Sequence, residues 1–189
     1  MEGLEPVGLT LRARFAKVLP AQAREVSMAT NNFRQMLEGK WAEVKLAGVG
    51  LDSDPLKIPA CIRKGSNATA SMLAFNREIV DSTKDDVLVY KPNLAFYLAY
   101  GDMGLRALAG TMSHIREVAP SVSIVLDMKD ADIGNTNNGY VQFAFDELQA
   151  DAVTVNPYLG AEALKPFLER KDKGIIVLCR TSNSGANEF

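Results

Sequence analysis

The chain has 189 residues, of which 47% are hydrophobic and 23% are charged, and its formal net charge is -2. These values predict one soluble globular domain with a sizeable core. They exclude the basic surface of a nucleic-acid or anionic-membrane binder. No apolar run approaches the ~20 residues of a transmembrane helix. We therefore expect no nucleic acid and no membrane among its partners.

The two cysteines and the single histidine argue against several kinds of functional site. Cys61 and Cys179 lie far apart, with no metal-binding or redox motif around them. We expect both to be reduced, and because the amino terminus lacks the blocks of a secretory signal, we expect a cytoplasmic protein. His114 alone argues against a histidine-ligated metal site and against a Ser-His-Asp hydrolase.

In chain order, residues 1–43 are predicted to form an amino-terminal helical extension, with a helix near residues 31–38 that ends at Gly39. From residue 44 onward, strand and helix patterns alternate. The predicted strands lie at residues 44–51, 87–90, 124–126, 152–155 and 175–179, and the predicted helices at residues 67–81, 101–119, 138–149 and 161–169. This alternation predicts an α/β fold with a parallel sheet and helices outside it.

Polar side chains follow every predicted strand. They are Asp52, Lys91 to Asn93, Asp127 to Asp132, Asn156, and Arg180 to Ser182. A (β/α)₈ TIM barrel collects site residues from many strand ends, whereas a doubly wound sheet concentrates them at one switch point. Because such barrels typically need ~250 residues, we expect residues 44–189 to form about the first five β/α units of a TIM barrel. We also expect the chain to end partway through that barrel.

The most informative stretch is the end of the third strand. An apolar run stops abruptly at Asp127, with Lys129 and Asp132 after it. Strand alternation puts Asp127 and Lys129 on the same side, and an ammonium held between carboxylates suits electrostatic and proton-transfer chemistry. From the pattern alone, a purely stabilising ion-pair network remains an alternative.

Five ordered blocks carry a resemblance to a known family. They are the Asp-x-Lys-x-x-Asp-Ile-x-x-Thr block at residues 127–136 and the segments 50–52, 91–97, 155–160 and 178–183. Together they resemble orotidine 5′-phosphate decarboxylase, in the branch common in bacteria, from about residue 44 to residue 185. The resemblance implies a TIM barrel. It also implies a carboxy-lyase that converts orotidine 5′-monophosphate (OMP) to uridine 5′-monophosphate (UMP) and CO2 in pyrimidine biosynthesis, without a cofactor or a metal.

The same resemblance implies catalytic roles for four residues. Lys129 would stabilise the carbanion that forms at carbon 6 and then protonate it, and Asp127 would keep Lys129 charged. Lys91 would bridge Asp127 and the ribose hydroxyls, and Asp132 would belong to the same alternating charge network.

The implied substrate-binding residues are Asp52 for a ribose hydroxyl, Ser182 for the pyrimidine edge, and Ile133 and Thr136. The family is a homodimer with shared active sites. Carried over, Asp132, Ile133 and Thr136 would complete the partner's pocket.

Two alternatives stay open. A Mg²⁺-dependent sugar-phosphate aldolase or decarboxylase of the same superfamily uses a similar block, but such an enzyme places an acidic ligand where this chain has Lys91. The chain could instead be an inactive barrel fragment that acts only in binding or dimerisation, because the family's phosphate-gripping glutamine and arginine come from later strands. The resemblance also allows fusion to an orotate phosphoribosyltransferase as a partner domain, since such fusions occur in some members of the family.

Overall fold

The computed structural model describes residues 32–188, so residues 1–31 of the predicted extension lie outside the described residues. In chain order the elements are α1 (Phe33–Ala42), β1 (Ala47–Leu51), α2 (Ala68–Thr83), β2 (Val87–Pro92), α3 (Leu94–Leu98), α4 (Gly101–Val118), β3 (Ser123–Leu126), α5 (Asn135–Val141), a π-helical segment (Gln142–Glu147), β4 (Ala152–Val155), α6 (Lys165–Leu168) and β5 (Gly174–Val177). In this part of the chain, every helix is too short or too polar to span a bilayer.

The five strands form one parallel sheet in the order β1-β2-β3-β4-β5. Each strand therefore pairs with the next along the chain, and helical connections return the chain to the same end of the sheet. Strands β3 and β4 are buried along their whole length, as expected where a parallel sheet is covered on both faces. This architecture confirms the predicted five parallel strands with helices between them.

The two long helices α2 and α4 pack against each other on the sheet. Helix α2 begins where the Asn67 side chain accepts a hydrogen bond from the backbone N–H of Ala70. Its fully buried Met72 and Val80 and the buried Leu108 and Met112 of α4 belong to the core. Burial of this apolar surface supplies the main favourable free energy of folding.

Helix α1 corrects the prediction that the first helix ends at Gly39. The helix continues to Ala42, because a reciprocal capping box between Asn32 and Gln35 starts it and Gly39 alone costs only about 1 kcal/mol relative to alanine. The chain leaves the helix at Val44, whose φ of 59° is incompatible with a right-handed helix. The backbone N–H of Phe33 donates to the carbonyl of Asp172, just before β5.

Other element boundaries also differ from the prediction. Strand β1 begins at Ala47 rather than residue 44, and α6 is limited to four residues. The helix expected at 138–149 begins at Asn135 and widens into the π-helical segment. Helix α3 was not predicted; it is a single short helix that Asn93 caps directly after β2.

The strand register brings the carboxyl ends of the first three strands level. Leu51 of β1 pairs with Pro92 of β2, and Asn93 forms an isolated bridge with Asp127. The residues that follow these strands consequently lie at one edge of the sheet, where parallel α/β proteins build their sites.

Candidate functional site

Two lysines share one carboxylate at this edge. Lys91 Nζ donates to Asp127 Oδ2 at 2.5 Å, and Lys129 Nζ donates to Asp127 Oδ1 at 2.6 Å. We call these three residues the Lys-Asp-Lys cluster. The structure thus brings together three of the four predicted catalytic residues.

The backbone of Asp127 is hydrogen-bonded to the end of strand β2 and to the start of helix α3. The Asp127 N–H donates to the carbonyl of Pro92 at 2.9 Å, and the N–H of Leu94 donates to the carbonyl of Asp127 at 3.1 Å. Lys129 then adopts the left-handed region, with φ of 55°. Its ammonium therefore reaches Asp127 across a turn, not along a continuing strand as alternation predicted, because β3 ends at Leu126.

The cluster combines a buried anion with two half-exposed cations. The Asp127 side chain is 5% exposed, whereas the Lys91 and Lys129 side chains are 41% and 47% exposed. Burial acts to raise the pKa of Asp127, but hydrogen bonds from Lys129, Lys91 and Thr154 outweigh it and hold that pKa at about 2. The carboxylate is ionised at neutral pH, and the ammonium groups face open space.

Thr154 has no predicted role, although its hydroxyl is hydrogen-bonded to the cluster. Thr154 Oγ1 donates to Asp127 Oδ1 at 2.8 Å and accepts the backbone N–H of Lys129 at 3.0 Å. The available signal was a polar residue inside the otherwise apolar strand β4.

Asp52 lies at the rim of the same edge. Its side chain is exposed, and its Oδ2 accepts a long hydrogen bond of 3.4 Å from Asn93 Nδ2. Ser182 follows β5 and is exposed; among the described residues it makes no hydrogen bond to the cluster. Asn156 follows β4 and caps its own turn, since its Oδ1 accepts the N–H of Tyr158 at 3.0 Å.

Asp132 lies on the loop beyond the cluster and does not join it within the described residues. Its Oδ1 accepts the N–H of Ile133 at 2.6 Å, and its own N–H donates to buried Asn137 Oδ1 at 2.8 Å. Ile133 is 63% exposed, and Thr136 lies in the first turn of α5.

A shallow apolar groove of about 450 Å³ runs beside this loop. It is lined by Leu94, Leu98, Asp130, Thr136, Gly139, Tyr140 and Phe143. Burial raises the pKa of Asp130 in its wall. Within residues 32–188, no group of three or more His, Cys, Asp or Glu side chains is arranged to hold a metal ion.

Comparison with known proteins places this geometry in a family. Residues 49–189 match the family model described as orotidine 5′-phosphate decarboxylase / HUMPS family. Orotidine 5′-phosphate decarboxylase of Thermomicrobium roseum is 45% identical over 159 residues, covering 84% of this chain and 54% of the relative. The Bordetella avium enzyme of the same name is 44% identical over 160 residues, covering 84% and 57%. The chain therefore spans about half the length of the curated relatives that it matches.

Comparison with solved structures points to the same family. The OMP decarboxylase of Leishmania donovani superposes with a TM-score of 0.72 at 32% identity, covering 83% of this chain and 57% of that chain. The UMP synthase of the same organism superposes equally well, with a TM-score of 0.72, but only 32% of that longer chain is covered. The matched region includes the last three residues of β1, all of strands β2 to β5 and the whole Lys-Asp-Lys cluster, so the chain belongs to the orotidine 5′-phosphate decarboxylase / HUMPS family.

Proposed function

We propose that this chain carries the catalytic centre of an orotidine 5′-phosphate decarboxylase, which converts OMP to UMP and CO2. The observation that carries the proposal is the Lys-Asp-Lys cluster, in which one buried carboxylate holds two half-exposed ammonium groups. The relatives' shared name supports the substrate.

The chemistry needs a preorganised positive charge more than a nucleophile. Loss of CO2 from carbon 6 of the orotate ring leaves a carbanion with no adjacent π system to absorb the charge. The Lys129 ammonium would stabilise this charge and then transfer a proton to carbon 6. A fixed cation in a water-poor site is worth several kcal/mol to such a transition state, because low dielectric strengthens the attraction.

The other charges of the cluster would prepare Lys129 for this step. The Asp127 carboxylate accepts hydrogen bonds from both lysine ammonium groups, and its pKa of about 2 keeps it ionised at neutral pH. The Lys91 ammonium donates to the second oxygen of the Asp127 carboxylate, Oδ2, and would also reach the ribose hydroxyls. Asp52 and Ser182 would bind a ribose hydroxyl and the pyrimidine edge.

We further propose a homodimer in which Asp132, Ile133 and Thr136 complete the partner's site. Support comes from the apolar groove, whose lining includes Leu98, which is 52% exposed, and from Ile133 on the adjoining loop, which is 63% exposed. Such a patch is commonly a protein interface. The cytoplasmic location and the fusion to a transferase domain stay predictions.

The Mg²⁺-dependent alternative receives no support from the cluster. Both oxygens of Asp127 already accept lysine ammonium groups and one also accepts a hydroxyl. A metal site instead assembles several oxygen ligands around a cation.

Incubation of the full chain with OMP tests the proposal. Turnover is followed by the loss of ultraviolet absorbance and by released CO2, with and without EDTA. We expect UMP and CO2 in equal amounts and no effect of EDTA. A folded chain that releases no CO2 contradicts the proposal, and turnover abolished by EDTA would support the metal-dependent alternative.

A further inference from the structure

The hydroxyl of Thr154 contacts two parts of the cluster, the Asp127 carboxylate and the Lys129 backbone, whose relative position the short covalent link through Met128 does not fix by itself. It accepts the Lys129 N–H at 3.0 Å and donates to Asp127 Oδ1 at 2.8 Å. One oxygen atom thus contacts both the backbone of the lysine and the carboxylate to which that lysine is paired.

Lys129 needs such a contact. Its φ of 55° lies in the left-handed region, which side chains with a Cβ disfavour and which persists only where the surroundings hold it. The N–H of Lys129 points to Thr154, on the neighbouring strand β4. This hydrogen bond fixes where the lysine side chain leaves the backbone.

Asp127 needs the same contact for a different reason. Its Oδ1 accepts both the Lys129 ammonium and the Thr154 hydroxyl, while Oδ2 accepts Lys91. With three donors around two oxygens, the carboxylate cannot rotate without losing at least one hydrogen bond. Each oxygen is therefore directed at a different lysine.

Thr154 is well suited to hold both groups still. It is 7% exposed on a strand whose residues are all buried, and a β-branched side chain has little χ1 freedom. Sites supported from rigid elements hold their geometry better than sites supported from loops.

We propose that Thr154 is a positioning residue, whose hydroxyl locks the left-handed backbone of Lys129 to Oδ1 of Asp127 and so aims the Lys129 ammonium. The contact itself is independent of the substrate. Its consequence for catalysis rests on the proposed decarboxylase function.

Two substitutions separate the hydroxyl from the shape of the side chain. Thr154→Val keeps the shape and removes the hydroxyl, whereas Thr154→Ser keeps the hydroxyl. Thr111→Val is the matched control, because Thr111 is 1% exposed and its hydroxyl is hydrogen-bonded to Asn76, away from the cluster. Should Thr154→Val fail to fold, Thr154→Cys replaces it, since a thiol is a weak hydrogen-bonding group of similar size.

The first readout is hydrogen exchange of the Lys129 amide, measured by NMR on the full chain. We expect about tenfold faster exchange in Thr154→Val, since the amide loses its hydrogen bond. Thr154→Ser and Thr111→Val should exchange at the rate of the unmodified chain. Unchanged exchange in Thr154→Val, or equally fast exchange in Thr111→Val, overturns the positioning role.

The second readout is the split between kcat and KM for OMP. We expect Thr154→Val to lower kcat about tenfold or more with KM nearly unchanged. The reason is that the lost hydrogen bond positions the Lys129 ammonium for the transition state and does not contribute to substrate binding. Thr154→Ser should restore kcat. If hydrogen exchange changes in Thr154→Val but kcat does not, the catalytic consequence is refuted. If the unmodified chain has no turnover, the decarboxylase function is refuted, and the exchange result alone then tests the positioning role of Thr154.

Discussion

Replacing Asp127 with asparagine removes the one negative charge that the two lysines share, while it keeps the size of the side chain. Lys91 Nζ and Lys129 Nζ lie 2.5 and 2.6 Å from the two carboxylate oxygens. After the change, the Thr154 hydroxyl can still donate to the amide oxygen, so the local packing is preserved.

The repulsion between the two lysine ammonium groups determines how much stability this substitution costs. Two unit positive charges about 5–7 Å apart repel by about 2–3 kcal/mol at an effective dielectric constant near 20. Both lysine side chains are over 40% exposed, so they can relieve this repulsion by turning toward water, which screens them. We therefore expect only about 1 kcal/mol of lost stability, with the ammonium groups displaced from their positions.

Activity should respond far more strongly than stability. Loss of a preorganised charge contact at a reacting centre typically costs about 10²–10³ in kcat, and we expect Asp127→Asn to fall in this range. OMP turnover and the thermal midpoint are measured on the same preparation. Turnover within about threefold of the unmodified chain, at equal folded fraction, would refute the assigned role of the carboxylate.

The acid stability of the chain gives an independent check on the same residue. The pKa of Asp127 lies at about 2 in the folded chain, below its ordinary value of 3.8. Its contribution to stability is therefore present above pH 3.8 and is lost as the pH falls toward 2. The stability gap between the unmodified chain and Asp127→Asn should narrow over this window in urea titrations, and a gap that widens there would contradict the folded-state charge.

Three further perturbations test the dimer and the supporting structure. Mixing an Asp132→Ala chain with a Lys129→Ala chain should restore part of the OMP turnover, because heterodimers carry one intact shared site. Gly104→Ala should lower the thermal midpoint markedly, because the added Cβ would collide with the carbonyl oxygen of Tyr97. Asn76→Leu should cost about 2–4 kcal/mol in urea unfolding, since it leaves buried hydroxyl groups without their amide partner.

Each of these expectations has a defined contrary result and a control. No rescue despite proven subunit exchange would refute the shared site. Gly39→Ala is the matched control at another helical glycine, since a Cβ there meets no atom within 4 Å. A midpoint for Gly104→Ala equal to that of Gly39→Ala, or an Asn76→Leu variant as stable as the unmodified chain, would contradict the packing described above.

The order and type of the main elements could be predicted because their patterns are local. Apolar strand runs and capped helices such as α2, with Asn67 at its start, carry their signals within a few residues. Helix α3 was missed because it is one short turn directly after a strand, and the hydrogen bond from its Leu94 N–H goes to Asp127, over 30 positions away. The π-helical segment has no signal in the sequence that we recognise.

The charged residues of the candidate site could also be predicted from the sequence, but the residue that positions them could not. Charged residues at strand ends identified Lys91, Asp127 and Lys129, because parallel strands bring their carboxyl ends together. Thr154 could not be assigned in advance, since its role depends on the register of β4 beside β3 and on the left-handed backbone of Lys129. Strand alternation predicted the Asp127–Lys129 contact for the wrong reason, since a turn makes it.

The most direct test of the central claim compares OMP turnover by the full chain with turnover by Lys129→Ala and Lys165→Ala. Lys165 is a matched control, because its side chain is 70% exposed and its Nζ lies 3.8 Å from Glu169, outside the cluster. We predict turnover in the unmodified chain and in Lys165→Ala, and none above the uncatalysed rate in a folded Lys129→Ala. Turnover that survives Lys129→Ala would contradict the assignment of the Lys-Asp-Lys cluster as the catalytic centre.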